Sequence, residues 1–234
     1  MDYIDALRRR ARGGFMPVIA DLKRLSPKEG ELMRGRDPIE LAKALVSAGA
    51  PALSVVTEQE HFGGSLDMLS RIAGACGVPV LRKDFIRTKA EIRESARAGA
   101  SAVLLIAAML DKNLLFELYG EALEYGLVAL AETHSIAEME MVNALHAGLV
   151  GINNRDIIAL EKDDGTVDTT VKLIGAAEGN PLIVSESSIA TAADIMRARD
   201  AGANAVLVGT ALLRADNIAE KYRELSVPLA GRMQ

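Results

Sequence analysis

Lysine and carboxylate side chains stand at the ends of several short apolar runs of this chain. Lys83 and Asp84 end the segment PVLRKD, Glu132 and His134 end LVALAETH, and Lys23 follows PVIADL. Ammonium and carboxylate groups donate and accept protons, and crowding them in one site shifts their pKa values. If the runs are strands of one sheet, these residues form an acid–base site at its edge.

The remaining runs contribute hydroxyl, amide and guanidinium groups, and one contributes an apolar wall. Leu104 and Ile106 belong to that apolar run, AVLLIA, which suits a planar ligand. Gly209 and Thr210 open the segment ALLRADN, where backbone N–H groups and a hydroxyl can hold a phosphate. The other polar run ends are Asp21; Thr57 and Glu58; Asn153, Asn154 and Arg155; and Glu186, Ser187 and Ser188.

The elements that position these residues follow from an alternation along the chain. Eight apolar, β-branched runs recur, each followed by a longer amphipathic stretch, which is typical of parallel βαβ units. Several of the predicted helices open on Asp, Ser or Thr and close on Gly. They span residues 38–49, 88–99, 135–146 and 191–202. Eight such units predict a single (β/α)8 TIM barrel over residues 1–234, with an open doubly wound sheet as the alternative.

Composition excludes several classes of protein. The net charge of -5, without a long basic run and with 3% aromatic residues, argues against nucleic acid as a partner. No apolar stretch approaches the length of a membrane span, and residues 1–14 lack the apolar core of a signal peptide. Cys76 is the single cysteine, so we expect a reducing, cytoplasmic compartment. We expect a monomer or a weak homo-oligomer.

Structural interpretations compete with functional ones at each position. Asp21 and Lys23 lie on the same face of a strand and suit a structural ion pair, and a lone lysine or glutamate at a strand end is often solvated. His134 and His146 fit capping or surface positions, and His61 lies in a polar loop. Because no two histidines share a metal-ligand spacing and Cys76 has no thiol partner, the sequence predicts no metal site.

Taken in order, the run ends resemble those of the indole-3-glycerol phosphate synthase family, from about Pro17 to Arg214. The matching segments are PVIADLKRLSP, ALSVVTE followed by HFGGS, PVLRKDF, AVLLIAAML, LVALAETH, GINNRD, VSESSI and AVLVGTALLR. The resemblance implies a cofactor-free barrel of tryptophan biosynthesis. Its phosphorylated substrate is 1-(o-carboxyphenylamino)-1-deoxyribulose 5-phosphate, which undergoes ring closure and loses CO2 and water.

The resemblance also implies roles for individual residues. Lys83 matches the acid that protonates the ketone oxygen, Glu132 matches the base, and Lys23 contacts the substrate and exchanges the acid role with Lys83. We expect crowding and desolvation to tune a lysine to donate a proton near neutral pH. Other matches are Asn153 and Ser187 for substrate hydroxyls and amine; Arg155 for the departing carboxylate; Ser26, Gly209 and Thr210 for phosphate; and Phe62, Phe85, Leu104 and Ile106 for the anthranilate ring.

Three departures from the family pattern qualify this assignment. Asp21 replaces the usual Glu, so its contact shifts by about 1.5 Å while the charge is kept. Ser188 replaces a Gly near the phosphate, where a positive φ costs about 1 kcal/mol. The N-terminal extension is shortened, so residues 2–12 form one short helix over the barrel or leave the mouth more open. Two other functions stay open: a paralogous phosphosugar isomerase, and a non-catalytic phosphate-binding barrel subunit.

Overall fold

A computed structural model describes residues 2–155 and 166–229 of the chain. Within these ranges eight parallel strands close a barrel in the order β1-β10-β9-β8-β7-β6-β5-β4, which confirms the predicted (β/α)8 fold. The barrel strands are β1 (Val18–Leu22), β4 (Leu53–Val56), β5 (Val80–Lys83), β6 (Ala102–Ile106), β7 (Val128–Thr133), β8 (Leu149–Asn153), β9 (Leu182–Glu186) and β10 (Ala205–Val208). A two-stranded hairpin, β2 (Leu25–Ser26) and β3 (Gly30–Glu31), lies in the loop after β1.

Helices alternate with these strands and cover the barrel. They are α1 (Tyr3–Arg12), α2 (Pro38–Ser47), α3 (Leu66–Cys76), α4 (Lys89–Arg97), α5 (Lys112–Glu124), α6 (Ile136–Asn143), α7 (Asp168–Leu173), α8 (Ala192–Ala201), α9 (Thr210–Arg214) and α10 (Ile218–Glu224), with 3-10 turns at Ala107–Met109 and Ile174–Ala176. Among the helices described, none combines the length and the apolar character that a membrane span requires.

The predicted starts of four helices agree with their N-caps, whereas α6 ends at Asn143 and not at His146. Asp37, Thr88, Ser135 and Thr191 each accept hydrogen bonds from backbone N–H groups of the first turn, which would otherwise lack partners. Gly202 ends α8 with φ 114°, a conformation that a side chain would disfavour. These local signals determine where each of these helices begins or ends.

Helix α1 closes the end of the barrel opposite the strand carboxyl termini. Tyr3 and Leu7 are fully buried, and the Tyr3 hydroxyl donates to the carbonyl of Leu53, the first residue of β4. Both side chains pack with barrel-interior residues such as Leu149, which begins β8. The short N-terminal segment thus forms the expected helix, and that helix leaves the mouth uncovered.

Candidate active site

The mouth of the barrel is organised around Lys83 at the end of β5. Its ammonium group lies 3.4 Å from Glu132 Oε2 on β7 and 3.3 Å from Glu186 Oε2 on β9. The ammonium therefore joins strands that are not neighbours, across the interior of the barrel. Both carboxylates are almost fully buried, whereas the Lys83 side chain is 19% exposed. Glu186 stands at a run end but has no role predicted from the sequence, because its contact with Lys83 spans 103 residues of chain.

The charges in this cluster set the protonation states. Burial lowers the pKa of Lys83, but the charges of Glu132, Glu186 and Asp21 and the hydrogen bond to Glu186 outweigh it, so the pKa is raised. The expectation of a lysine tuned towards neutral pH is therefore wrong for Lys83. Burial, with Glu132 and Asp21 beside it, raises the pKa of Glu186 to about 8 despite Lys83. One ammonium stabilises one carboxylate fully, and the second carboxylate is driven towards its neutral form.

Gly151 on β8 makes room for the Glu186 carboxyl group. In the barrel register Gly151 pairs with Glu132 on one side and with Val184 on the other. A Cβ atom built on Gly151 would overlap Glu186 Oε1 and would lie 3.3 Å from Glu186 Cδ. The glycine of the segment GINN is thus required by the neighbouring acid, because any side chain would push that acid away from Lys83.

Asp21 on β1 lies beside the cluster, although its carboxylate is directed towards the neighbouring strands. Its Oδ1 accepts a hydrogen bond of 2.6 Å from Ser54, which is its register partner on β4. Its Oδ2 would be 2.8 Å from a Cβ on Gly209. The ammonium of Lys23 lies 5.9 Å from the centre of the Phe62 ring. Asp21 and Lys23 are both buried, and both line the cavities described next.

A polar cavity of about 480 Å³ opens above β9 and β10. Its cations, which suit an anionic ligand, are Lys23, Lys28, Lys83, Arg155 and Arg214, and its other lining residues include Ser187, Ser188, Gly209 and Thr210. Ser187 and Ser188 adopt φ 65° and φ 56°, so two consecutive residues without glycine's freedom are left-handed. The positive φ expected at Ser188 is confirmed, and this turn directs the backbone after β9 towards the cavity.

An apolar cavity of about 50 Å³ adjoins the polar one. The rings of Phe62 and Phe85 meet edge to face with centroids 6.5 Å apart, which is a favourable aromatic geometry. Leu104 and Ile106 complete the wall, and Asn153 lies among the polar residues at its border. Asp21, Lys23, Lys83, Arg155 and Ser187 line both cavities. The cluster of charges therefore stands where an apolar and an anionic part of one ligand would meet.

Three further positions named in the sequence are Ser26, His134 and His146. Ser26 is buried in the hairpin after β1, where its hydroxyl accepts a bond from the Glu29 N–H, and it is not a lining residue of either cavity. His134 is not a surface residue, since its side chain is 13% exposed and its Nε2 lies 3.4 Å from Glu132 Oε1. His146 is exposed beyond the end of α6, as predicted.

Metal ligation was not expected from the sequence. Glu58, Glu60 and His61 have ligand atoms within 4.8 Å of one another in the loop after β4. The Glu58 carboxylate already accepts bonds from the backbone N–H groups of Glu60 and His61. These local hydrogen bonds account for the grouping as part of the loop structure.

A closed (β/α)8 barrel with a buried acid–base cluster and a cationic cavity at the strand carboxyl ends defines a barrel enzyme acting on an anionic small molecule. The sequence model of the indole-3-glycerol phosphate synthase family matches residues 1–225. The chain belongs to this family, as the resemblance of its strand ends indicated.

Relatives of this name are similar over most of their length. The indole-3-glycerol phosphate synthase of Pyrococcus furiosus is 47% identical over 208 residues, which cover 89% of this chain and 90% of that protein. The one from Polaromonas naphthalenivorans is 40% identical over 224 residues, covering 96% and 84%. The solved thiamine phosphate pyrophosphorylase from Pyrococcus furiosus has a TM-score of 0.64 at 13% identity, covering 92% of this chain and 95% of that one, and shows the fold alone.

Proposed function

We propose that this chain converts 1-(o-carboxyphenylamino)-1-deoxyribulose 5-phosphate to indole-3-glycerol phosphate, with release of CO2 and water. The observation that carries the proposal is the position of Lys83. Its ammonium is held between two buried carboxylates at the junction of an aromatic-lined cavity and a cationic one. A substrate with an aromatic ring at one end and a phosphate at the other matches that pair of cavities.

The reaction defines what the charged residues must do. The aromatic carbon attacks the ketone and then loses CO2, the ketone oxygen takes up two protons and leaves as water, and the carbon beside the amine gives up one proton. Lys83, fully charged in this site, supplies the first proton to the oxygen, and Lys23 is the second acid. Glu132 is the base that takes the carbon-bound proton. Starting from the carboxylate, one proton is consumed per turnover.

The surrounding residues hold the substrate in the reactive geometry. Arg155 pairs with the carboxylate that departs, and Asn153 and Ser187 bind the hydroxyls and the amine. We assign the aromatic ring to Phe62, Phe85, Leu104 and Ile106, and the phosphate to Ser188, Gly209 and Thr210, with Ser26 supporting the loop beside them. The aromatic walls exclude water, which strengthens each electrostatic contact during the reaction.

Asp21 keeps its role in this proposal despite being shorter than glutamate. Its hydrogen bond with Ser54 holds the carboxylate at the border of both cavities, where it faces the charges of Lys83 and Glu186. We propose that it orients the substrate amine together with Lys23. An isomerase needs a different acid–base pair, and a non-catalytic barrel would need no such cluster, so the charge arrangement favours the synthase over both alternatives.

We further propose that residues 1–234 work as one catalytic domain, as a monomer or a weak homo-oligomer, on a small phosphorylated substrate rather than on nucleic acid. A cytoplasmic location agrees with the pathway and with an unpaired Cys76.

Formation of the indole ring gives a direct test, because the indole of the product can be followed by its own fluorescence. The purified protein is incubated with the carboxyphenylamino-deoxyribulose phosphate and indole fluorescence is followed. We expect turnover by the native chain and at least a ~100-fold loss in Lys83→Ala, the scale of losing a positioned acid. Lys43→Ala, on the exposed face of α2, is the matched control. Absence of turnover in the native protein, or near-normal turnover in Lys83→Ala, would refute the assignment.

A further inference from the structure

Three ionisable side chains, Glu132, His134 and Glu138, lie in contact in a row that leads outward from the centre of the site. His134 Nε2 lies 3.4 Å from Glu132 Oε1, and its Nδ1 lies 3.1 Å from Glu138 Oε2. The exposed side-chain fractions are 0% for Glu132, 13% for His134 and 19% for Glu138. The imidazole therefore bridges the buried carboxylate of β7 and a carboxylate of α6 at the edge of the site, opposite the side of Glu132 that faces Lys83.

The orientation of the imidazole is determined by its anchor. The Glu138 carboxylate accepts hydrogen bonds from the His134 backbone N–H at 2.8 Å and from the Ser135 hydroxyl at 2.8 Å. A carboxylate held by a backbone and a side-chain donor is a fixed acceptor for the Nδ1–H group. With Nδ1 facing Glu138, Nε2 is the nitrogen directed at Glu132 Oε1. Among the described residues neither Nε2 nor Oε1 has a hydrogen-bond partner, so a protonated Nε2 brings a donor to an oxygen that lacks one.

The charges facing His134 favour the imidazolium form. Burial lowers the pKa of His134, but the hydrogen bond to Glu138 and the charges of Glu132, Glu138 and Glu186 outweigh it, so the pKa is raised. Burial raises the pKa of Glu138, but the hydrogen bonds from His134 and Ser135 outweigh it, so the pKa is lowered. The cluster then contains Lys83 on one side of Glu132 and a second cation, His134, on the other.

We propose that His134 is a positioning residue for Glu132: anchored by Glu138, its ring holds the Glu132 carboxylate at Oε1 and so orients it towards the substrate. Lys83 alone would have to stabilise both Glu132 and Glu186, and its contacts to the two are nearly equal in length. The imidazole contacts Glu132 at Oε1, whereas Lys83 contacts Oε2, so Glu132 is held at both oxygens while Glu186 is held at one. The catalytic consequence rests on the proposed function, in which Glu132 is the base.

The pairing itself is tested without turnover. The chain contains three histidines, His61, His134 and His146, so the imidazole resonances can be assigned with single substitutions and titrated by NMR. In Glu132→Gln the titration midpoint of His134 is expected to fall by about one pH unit or more, since a facing charge within a few ångströms shifts a pKa by that amount. An unchanged midpoint would overturn the proposal. His146 reports on unrelated effects, and its midpoint should not move.

The catalytic consequence is tested by the pH dependence of turnover. His134→Gln keeps a side chain that can hydrogen-bond but removes the positive charge, so the acidic limb of kcat/KM should move up by about one pH unit. The loss is then about 10-fold on the acidic limb and small near pH 9, with KM within about twofold. His146→Asn, which tolerates the positive φ at that exposed position, should behave like the native protein.

One outcome would identify a purely structural role for His134. A loss of rate that is equal at every pH, accompanied by a lower melting temperature, would assign His134 to folding and refute the proposal. If His134→Gln does not fold, Glu138→Gln provides the second test, and a shift of the acidic limb in the same direction is expected. If the native protein does not turn over, the proposed function fails while the NMR titration still decides the pairing.

Discussion

Replacing Gly151 with alanine tests whether the space beside the Glu186 carboxyl group is required. The new Cβ overlaps Glu186 Oε1 and stands 3.3 Å from Cδ, so the carboxyl group must retreat by roughly 1 Å to reach ordinary contact distances. Glu186 is fully buried, and its other oxygen is 3.3 Å from Lys83, so that retreat lengthens the ion pair. A misplacement of about 1 Å costs on the order of 100-fold in rate.

The cost in stability is a balance of two terms. Overpacking a buried site costs about 1–3 kcal/mol, whereas alanine is favoured over glycine in a strand by about 0.5–1 kcal/mol. A net loss of about 1–2 kcal/mol lowers the melting temperature of a chain of this size by roughly 2–8 °C. The measurements are thermal unfolding and indole fluorescence, with Gly120→Ala as the control, because no atom lies within 4 Å of a Cβ at that position.

The double variant with Glu186→Asp decides the mechanism. Removal of one methylene from the acid gives the Gly151→Ala methyl group its space, so the alanine should destabilise the protein that carries Glu186→Asp much less than the native one. A double-mutant cycle in which the two losses simply add would refute the steric explanation, since contacting residues are expected to couple. A Gly151→Ala protein with native stability and rate would refute it as well.

Three further results are expected. Burial raises the pKa of Glu186 to about 8. Between pH 4.5 and 8 the native state therefore keeps a proton that the unfolded chain has lost. The free energy of unfolding falls as the pH rises through this range, by at most about 1.4 kcal/mol per pH unit. Urea titrations should show this fall in the native protein and not in Glu186→Gln; parallel curves would contradict it. Ser188→Gly relieves a φ of 56° and should raise stability by about 1 kcal/mol, measured by thermal unfolding. Arg82→Met removes the guanidinium that lies 3.0 Å from the Asp84 carboxylate and should lower the free energy of unfolding by about 3–5 kcal/mol. KM should rise as well, because Asp84 also accepts a hydrogen bond from the Phe85 N–H. Native stability in this variant would contradict the prediction.

Much of the barrel could be predicted from local patterns. Each of the signals lies within about ten residues of chain: apolar runs of strand length, capping residues such as Thr88 and Thr191, and glycines such as Gly202. Each also acts within that distance, so the prediction and the physical cause coincide. Since parallel strands of a barrel end at one rim, the polar residues after the runs had to meet there, and Lys83 and Glu132 did.

Contacts across the barrel could not be predicted in the same way. Lys83 meets Glu132 and Glu186 over separations of 49 and 103 residues, and no local pattern states which carboxylate reaches the ammonium or how deeply it is buried. The expected direction of the Lys83 pKa shift was wrong for this reason: burial and opposing charges act in opposite directions, and their balance depends on distances. The capping position expected for His134 agrees with its bonds to Glu138, but its contact with Glu132 could not be predicted, because capping and bridging use the same Glu138 carboxylate.

The amino-acid sequence by itself determined the order of strands and helices, the rim at which the polar groups gather, and the family. These follow from periodicity, capping and motif, which are properties of short segments. Only the tertiary structure decided that α1 closes the far end of the barrel, that Gly151 leaves space for Glu186, and that Glu132 lies between Lys83 and His134. Those features depend on distances between side chains on different strands and helices, and closure of the barrel is what sets those distances.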